Sequence, residues 1–383
     1  MRVTISIGGA FPSPYQYAEF LEQAGCLERI FSFMPRSRLK SKFGLMLPDE
    51  RLVTMPWIGA LYYGLSRLPL IKSYADYWAS EMFDFAVQRR LGACDVFNGW
   101  SGAALRSMRQ AKVQGSVTVL CTGSMHIAYQ KELLEAEYAK FGLQRIITHP
   151  RIVEKGTEEF LLADHIIVPS RMVMRTLIEK GINRSRISIV PHPLTRSLPT
   201  SVKSDSVFRI IAVGGLGFRK GIQYLLEAVS QLRLPNSELL LVGGLEDEFA
   251  PVLRKYAGQY RLAGYVSSEE LGRYYSQSSV FVLPSVEDGW GHVTLEAMSC
   301  GLPVVVSANA GSADAVFDGV NGFVVSACDA QALMEKLKFL YMNPEMRQEM
   351  GRRAKTSVQQ RTWEVYGQQM CQVFEKLLQR RAS

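Results

Sequence analysis

The chain has 383 residues, 47% of them hydrophobic and 21% charged, with 44 Lys and Arg against 36 Asp and Glu. At roughly 150 residues per domain this length predicts two or three domains, and the composition excludes disorder, collagen and coiled coil as the dominant organisation. Residues 1–200 carry 25 basic and 17 acidic side chains, a net +8, whereas residues 201–383 carry 19 of each. Such asymmetry fits either a solvated basic surface or a half that meets an anionic partner, whether a phospholipid surface, a lipid-pyrophosphate acceptor or a nucleic acid.

The first ten residues are too short and too Gly-rich for a secretory signal and read as a first strand. In the first half, apolar β-rich runs at 3–7, 29–33, 94–98, 116–120, 165–169 and 187–190 alternate with helical patterns such as 74–90, 126–141 and 170–180. One segment, 31–73, breaks the alternation. Arg36, Arg38, Lys40 and Lys42 precede an aromatic stretch, 52–71, holding Trp57, Tyr62 and Tyr63, and Pro56, Arg67 and Pro69 argue against a spanning helix there. It reads as a surface helix dipping into a membrane interface, as part of an acceptor pocket, or as a core helix with an irregular entry. A Pro/Ser/Thr-rich stretch at 191–206 is the natural linker. Strands are then expected at 208–213, 238–242, 279–283, 303–307 and 322–325. Between them lie a helix at 221–232 with Ile222, Leu225, Leu226, Val229 and Leu232 on one face, a capping box at Ser267 and Glu270, and an N-cap at Asp329.

Strands that are apolar on both faces and alternate with helices imply parallel sheets covered on both sides. The expected architecture is therefore α/β: two doubly wound, Rossmann-like domains over 1–195 and 205–361, each offering the carboxyl ends of its strands to a shared interdomain cleft. The last helix, about 362–383, has no strand to return to and is expected to pack back on the first domain. No run of about 18 apolar residues occurs. The six cysteines are far apart with no CxxC pair, so neither a zinc site nor a disulfide framework is indicated, and a reduced, cytoplasmic compartment fits.

Two loops carry the chemistry. PSVEDGWGHVTLEAMSCGLP at 284–303 follows a buried strand. Gly291 lets the backbone turn before a helix starting near His292 or Val293, whose first amides suit a phosphate or sugar oxygen. Asp288 and Glu296, eight positions apart on either side of that turn, can accept hydrogen bonds from hydroxyls. VGGLGFRKG at 213–221 sets Gly215, Arg219 and Lys220 ahead of the next helix, a suitable arrangement for a diphosphate. It lacks the GK[ST] of a Walker loop and the GxGxxG spacing of a dinucleotide fold. Gly243, one of a glycine pair at a third strand end, can line the same crevice.

This combination resembles the glycosyl transferases group 1 family, retaining enzymes of the glycosyltransferase family 4 type with the GT-B fold, and the likeness runs from Arg209 to about Gly322. The family's pair of glutamates separated by seven residues falls on Asp288 and Glu296, the first one methylene shorter than usual. Its diphosphate lysine falls on Lys220, and its usual arginine five residues earlier falls on Gly215, a loss for which Arg219 compensates in this reading. In the first half, SIGGAFP at 6–12, with Gly9, resembles the family's first strand and turn, and TGSMHIAYQ at 122–130 resembles a subgroup in which His126 points into the cleft. ADHIIVPS at 163–170 and PHPLT at 191–195 resemble the run into its linker.

The resemblance implies a hexosyl transfer from a UDP-, GDP- or ADP-linked sugar to an acceptor hydroxyl, in polysaccharide, lipopolysaccharide or glycolipid assembly. Asp288, His126 and Lys220 would be catalytic. The donor would be held by Gly9, Gly215, Arg219, Lys220, Gly243, Gly291, Glu296 and the amides of His292 and Val293. The family generally needs no metal and no permanently bound cofactor. A saccharide or lipid-linked acceptor, peripheral contact with the inner membrane face and no nucleic acid are the partners expected. The alternatives are another GT-B activity, such as a nucleotide-sugar epimerase or a phosphorylase, or a non-catalytic basic protein binding membrane or nucleic acid.

Overall fold

The computed structural model describes residues 1–9, 13–66 and 72–382. Residues 10–12 of the expected Gly-rich turn, 67–71 of the aromatic stretch and Ser383 lie outside them. Among the described residues thirteen strands form two all-parallel sheets. The first takes β1 (Val3–Ile7), β2 (Leu27–Ser32), β3 (Leu52–Thr54), β4 (Val96–Trp100), β5 (Val117–Cys121), β6 (His165–Val168) and β7 (Ile187–Ile189), in the spatial order β3-β2-β1-β4-β5-β6-β7. The second takes β8 (Phe208–Val213), β9 (Ser237–Val242), β10 (Arg261–Gly264), β11 (Val280–Leu283), β12 (Val304–Ser307) and β13 (Gly322–Val325), in the order β10-β9-β8-β11-β12-β13. The sheets thus have the doubly wound order, and each reverses direction once: between β1 and β4, and between β8 and β11. A parallel sheet opens its ligand crevice at such a reversal, outside the carboxyl ends of the strands.

The reason for the parallel sheets is visible in their burial. All five residues of β1, β4 and β5 are buried, so helices must cover both faces. Val3, Ile5 and Val119 face one core and Phe97, Leu120 and Ile166 the other. Two edge strands are additions to the sequence expectation. Leu52–Thr54 has three residues on an outer edge, and Arg261–Gly264 has no fully buried residue, so neither carries the apolar run that marks a central strand. The capping box of Ser267 and Glu270 forms as expected, and Asp329 caps its helix through the Ala332 amide.

Between β7 and β8 the chain contains no regular element from Val190 to Val207. The last helix, Trp363–Ala382, buries Tyr366, Met370 and Phe374 in the cluster that holds Val3, Ile5 and Tyr17. Tyr366 and Phe374 meet the Tyr17 ring at 5.9 and 6.4 Å. A helix that follows the second sheet therefore completes the core of the first. The domains also meet through side chains. Glu137 accepts from Gln223 and Tyr224, each at 2.8 Å, Arg145 pairs with Glu248, and the Arg171 amide donates to Asp314 at 2.7 Å.

Candidate active site in the interdomain cleft

Lys220 reaches the switch point of the second sheet because the chain leaves β8 through a one-turn helix, Phe218–Lys220, that ends on Gly221 with φ 68°. A Cβ at Gly221 would strike the Pro284 carbonyl at the end of β11, so this turn and that strand end are locked together. The result is contact between Lys220 Nζ and Asp288 Oδ2, with the two side chains 13% and 12% exposed. Burial works against the ionised Asp288, yet the Lys220 and Arg219 cations outweigh it and hold its carboxyl below the usual value. Gly291, with φ 81°, starts the helix His292–Ser299, whose first-turn amides face the same end of the sheet.

The other expected donor residues are placed as follows. Glu296 is buried on that helix and held by Arg196, Nε to Oε1 at 2.8 Å and Nη2 to Oε2 at 3.2 Å. Val293 turns its carbonyl to Tyr275 at 3.3 Å. Gly243 packs on the Gly214 carbonyl, joining the ends of β9 and β8, and a Cβ at Gly215 would lie 3.8 Å from Glu246. Arg219 is turned away from Asp288, donating to the Glu287 carboxylate at 3.1 Å and carbonyl at 3.2 Å, and it lines a separate hollow with Arg145 and Glu246.

Facing this edge is a cleft of about 390 Å³, with Trp100, Ser101, Gly102 and residues 121–125 of the first domain on one wall and Asp288, Trp290, Gly291 and His292 on the other. His192 sits between them, 5.2 Å from the His292 ring and 6.0 Å from that of Trp290. His192 Nδ1, His292 Nδ1 and Trp290 Nε1 are buried without a hydrogen-bond partner. Buried polar atoms ordinarily find one, so the cleft holds unmet capacity for a polar ligand. A second cavity, about 450 Å³ and mostly apolar, opens at the β1/β4 reversal. Gly8 and Gly9 line it with Phe33, Ile58, Tyr62 and Phe83, and it shares Ser101 and Gly102 with the cleft. That shared loop is clamped by the buried Glu159, which accepts from the amides of Gly102 (2.6 Å) and Ala104 (2.8 Å).

His126 corrects one expectation. It does not line the cleft. It caps the helix Ile127–Ala139, its Nδ1 accepting from the Ala128 amide at 3.2 Å, and its ring rests on Phe160 at 4.9 Å in the first domain's core. The turn 121–125 forms the wall instead, and a residue at the N-cap folds its side chain back onto its own helix. Conversely, His192, Arg196 and Glu159 escaped the sequence reading. The first two lie in or beside the PHPLT stretch, the only hint of them, and Glu159 has no local signal at all.

The histidines predict an acid limit. Burial lowers His126, His165 and His292 to about 4 and holds His192 well below the usual imidazole value. The unfolded chain therefore binds more protons below its histidine pKa of about 6.5, so stability is full above that pH and falls as pH drops towards 4. Glu159, raised to about 7 by burial, works in the opposite sense between roughly 4.5 and 7, but as a single group. Melting temperature is expected to decline from pH 7 to pH 5, and His126→Asn, which keeps a capping oxygen, to lessen that decline. A flat profile would contradict the burial of these rings as uncharged groups.

Two facing doubly wound domains, joined by a crossing C-terminal helix and open to each other at their strand ends, define the GT-B architecture. Solved structures agree. Sucrose-phosphate synthase of Thermosynechococcus elongatus superposes with a TM-score of 0.71 at 19% identity over 100% of both chains. Anabaena HepE, solved with UDP and glucose, does so with a TM-score of 0.68 at 14% identity over 98% of this chain and 100% of its own. Residues 198–357, most of the second domain, match the family model described as Glycosyl transferases group 1. An uncharacterized glycosyltransferase of Methanocaldococcus jannaschii is 28% identical over 56% of this chain. The matched stretch spans 40–60% of the length of the first curated relatives.

Proposed function

We propose that the protein is a retaining glycosyltransferase that moves a hexosyl group from a nucleotide-diphosphate sugar on the second domain to an acceptor hydroxyl on the first. The observation that carries this is the Lys220–Asp288 pair beside the start of the helix His292–Ser299, within the stretch that matches the family model. A diphosphate entering there draws the Lys220 ammonium to itself, and Asp288, released, accepts from the sugar's hydroxyls. The amides of His292 and Val293 and the dipole of their helix offset charge on the leaving phosphate. In this reading Glu296, already holding the Arg196 guanidinium, also accepts from a ribose hydroxyl. The sugar's bond to the phosphate breaks, the acceptor oxygen bonds to the anomeric carbon from the same face, and its proton passes to the departing phosphate.

The acceptor enters through the apolar cavity that shares Ser101 and Gly102 with the cleft. Polysaccharide, lipopolysaccharide or glycolipid assembly on the cytoplasmic side, where nucleotide sugars are made, is the setting we favour. Among the described residues no group of three or more His, Cys, Asp or Glu is arranged to hold a metal, and no step above is routed through one. The support from likeness is that the curated relatives are named glycosyltransferases and that HepE was solved with UDP and glucose. The test is calorimetric binding of UDP, GDP and ADP, followed by nucleotide release from the matching sugars. One nucleotide is expected to bind in preference and its sugar to turn over slowly. Failure to bind any of the three would sink the reading.

A further inference from the structure

The helix Pro56–Leu65, PWIGALYYGL, has no charged residue. It buries Ile58 and Gly59 and turns Trp57, Ala60, Leu61 and Gly64 outward, the i, i+3, i+4, i+7 stripe that a surface helix ordinarily gives to polar groups. Trp57 is 52% exposed and Leu61 44%. The preceding helix, Arg36–Phe43, buries Leu39 and exposes Arg38, Lys40 and Lys42, with no acidic residue along its length. The two helices are tied together: the Arg38 guanidinium lies 5.6 Å from the Tyr63 ring centre. Met46, just beyond the basic helix, is 70% exposed. Tyr74 and Trp78, on the neighbouring helix Lys72–Arg90, extend the aromatic surface at about half exposure.

An outward apolar stripe edged by cations has a definite complement. We propose that these two helices dock the first domain on an anionic bilayer surface, with Trp57 and Leu61 entering the headgroup region and Arg38, Lys40 and Lys42 meeting lipid phosphates. At 1.5 Å rise per residue, ten residues span about 15 Å, half of a hydrocarbon core, so the helix lies in the interface rather than across it. Among the described residues no helix is long and apolar enough to cross. The net +8 of residues 1–200, against zero in the remainder, orients the same half towards the membrane. Ile58 and Tyr62 on the inner side of this helix, with the 44%-exposed Tyr63 at its edge, line the cavity at the β1/β4 reversal. Docking therefore brings the mouth of that cavity to the lipid. If the function proposed above holds, the acceptor is a headgroup or a saccharide carried on lipid.

The experiment is co-sedimentation of the full chain with phosphatidylcholine vesicles with and without phosphatidylglycerol, with nucleotide binding and melting temperature measured on the same preparations. Binding only to the anionic vesicles, weakened by salt, is expected. At roughly a fivefold factor per lysine, K40A/K42A is expected to lose about 30-fold in vesicle affinity. Trp57→Ser combined with Leu61→Ser is expected to lose at least tenfold. Both variants should melt and bind nucleotide as the parent does, because none of the four side chains lines the cleft or the cavity. No binding to anionic vesicles, or binding that survives both variants, would overturn the proposal. So would concentration-dependent self-association abolished by Trp57→Ser/Leu61→Ser in a protein that ignores vesicles, since the stripe would then face a second copy. Loss of nucleotide binding by the parent protein bears on the glycosyltransferase reading alone.

Discussion

Gly289→Ala is expected to remove turnover while leaving nucleotide binding within a few-fold of the parent. Gly289 sits where the two domains touch. A Cβ there would lie 2.8 Å from Ser124 Cα and closer still to the Gly123 carbonyl, on the opposite side of the cleft. Its own carbonyl is held by Ser170 of the first domain at 3.2 Å. The obstacles are backbone, not the ends of flexible side chains, so relief requires the facing segments to separate by about 1 Å, a misplacement that costs about 100-fold in a two-substrate reaction. Lys220, Asp288 and the helix amides all belong to the second domain and move with it, which is why nucleotide affinity should survive. Gly123→Ala is the matched control, because a Cβ on that side of the same contact meets nothing within 4 Å. Small-angle scattering is expected to show a larger radius of gyration for Gly289→Ala only. Full turnover in that variant would mean that the closed arrangement of the domains is irrelevant to the chemistry.

Much of this architecture is legible in the residues. β8 and β11 are read from apolar runs buried on both faces, and such runs alternating with helices lead directly to parallel sheets whose carboxyl edges carry the ligand loops. The strings around Lys220 and Asp288 are legible for a related reason. Each joins a strand end to a helix start within a few residues, so local order alone places the cation and the carboxylate at one edge.

What escapes the sequence is whatever long-range packing decides. Arg196 reaches Glu296 across 100 positions, and Glu159 clamps Gly102 across 57. No periodicity or spacing anticipates either. His126 shows the complementary difficulty. Its position after β5 was apparent, but the direction of its ring depends on the N-cap geometry and on Phe160, and these turn it inward. His192 lies in a segment without helix or strand, yet it stacks with Trp100 and Tyr366 and faces His292, so the linker contributes the ring at the centre of the cleft. Arg219, adjacent to Lys220 in the chain, illustrates the limit at the finest scale: neighbours in a one-turn helix point apart, and one meets Glu287 while the other meets Asp288.

That last divergence makes Lys220 and Asp288 separable by experiment from an ordinary buried ion pair. Lys220→Met removes the cation and leaves Asp288, 9% exposed overall, with Arg219 as its remaining positive neighbour. Breaking a buried pair on one side costs roughly 3–5 kcal/mol because the survivor is an uncompensated charge. Asp288→Leu strands Lys220 in the same way. The double substitution removes both charges and is expected to regain most of the lost stability, as replacement of buried pairs by apolar groups often does. Turnover is expected to follow a different course, falling about 100- to 1,000-fold in each single variant and remaining absent in the double. Nucleotide affinity should weaken in Lys220→Met and in the double variant, and much less in Asp288→Leu, because in the function proposed above the ammonium meets the diphosphate and the carboxylate meets the sugar. If turnover returned with stability in the double variant, the pair would be a structural tie between the ends of β8 and β11, and the charge that acts on the donor would have to be sought elsewhere on this edge.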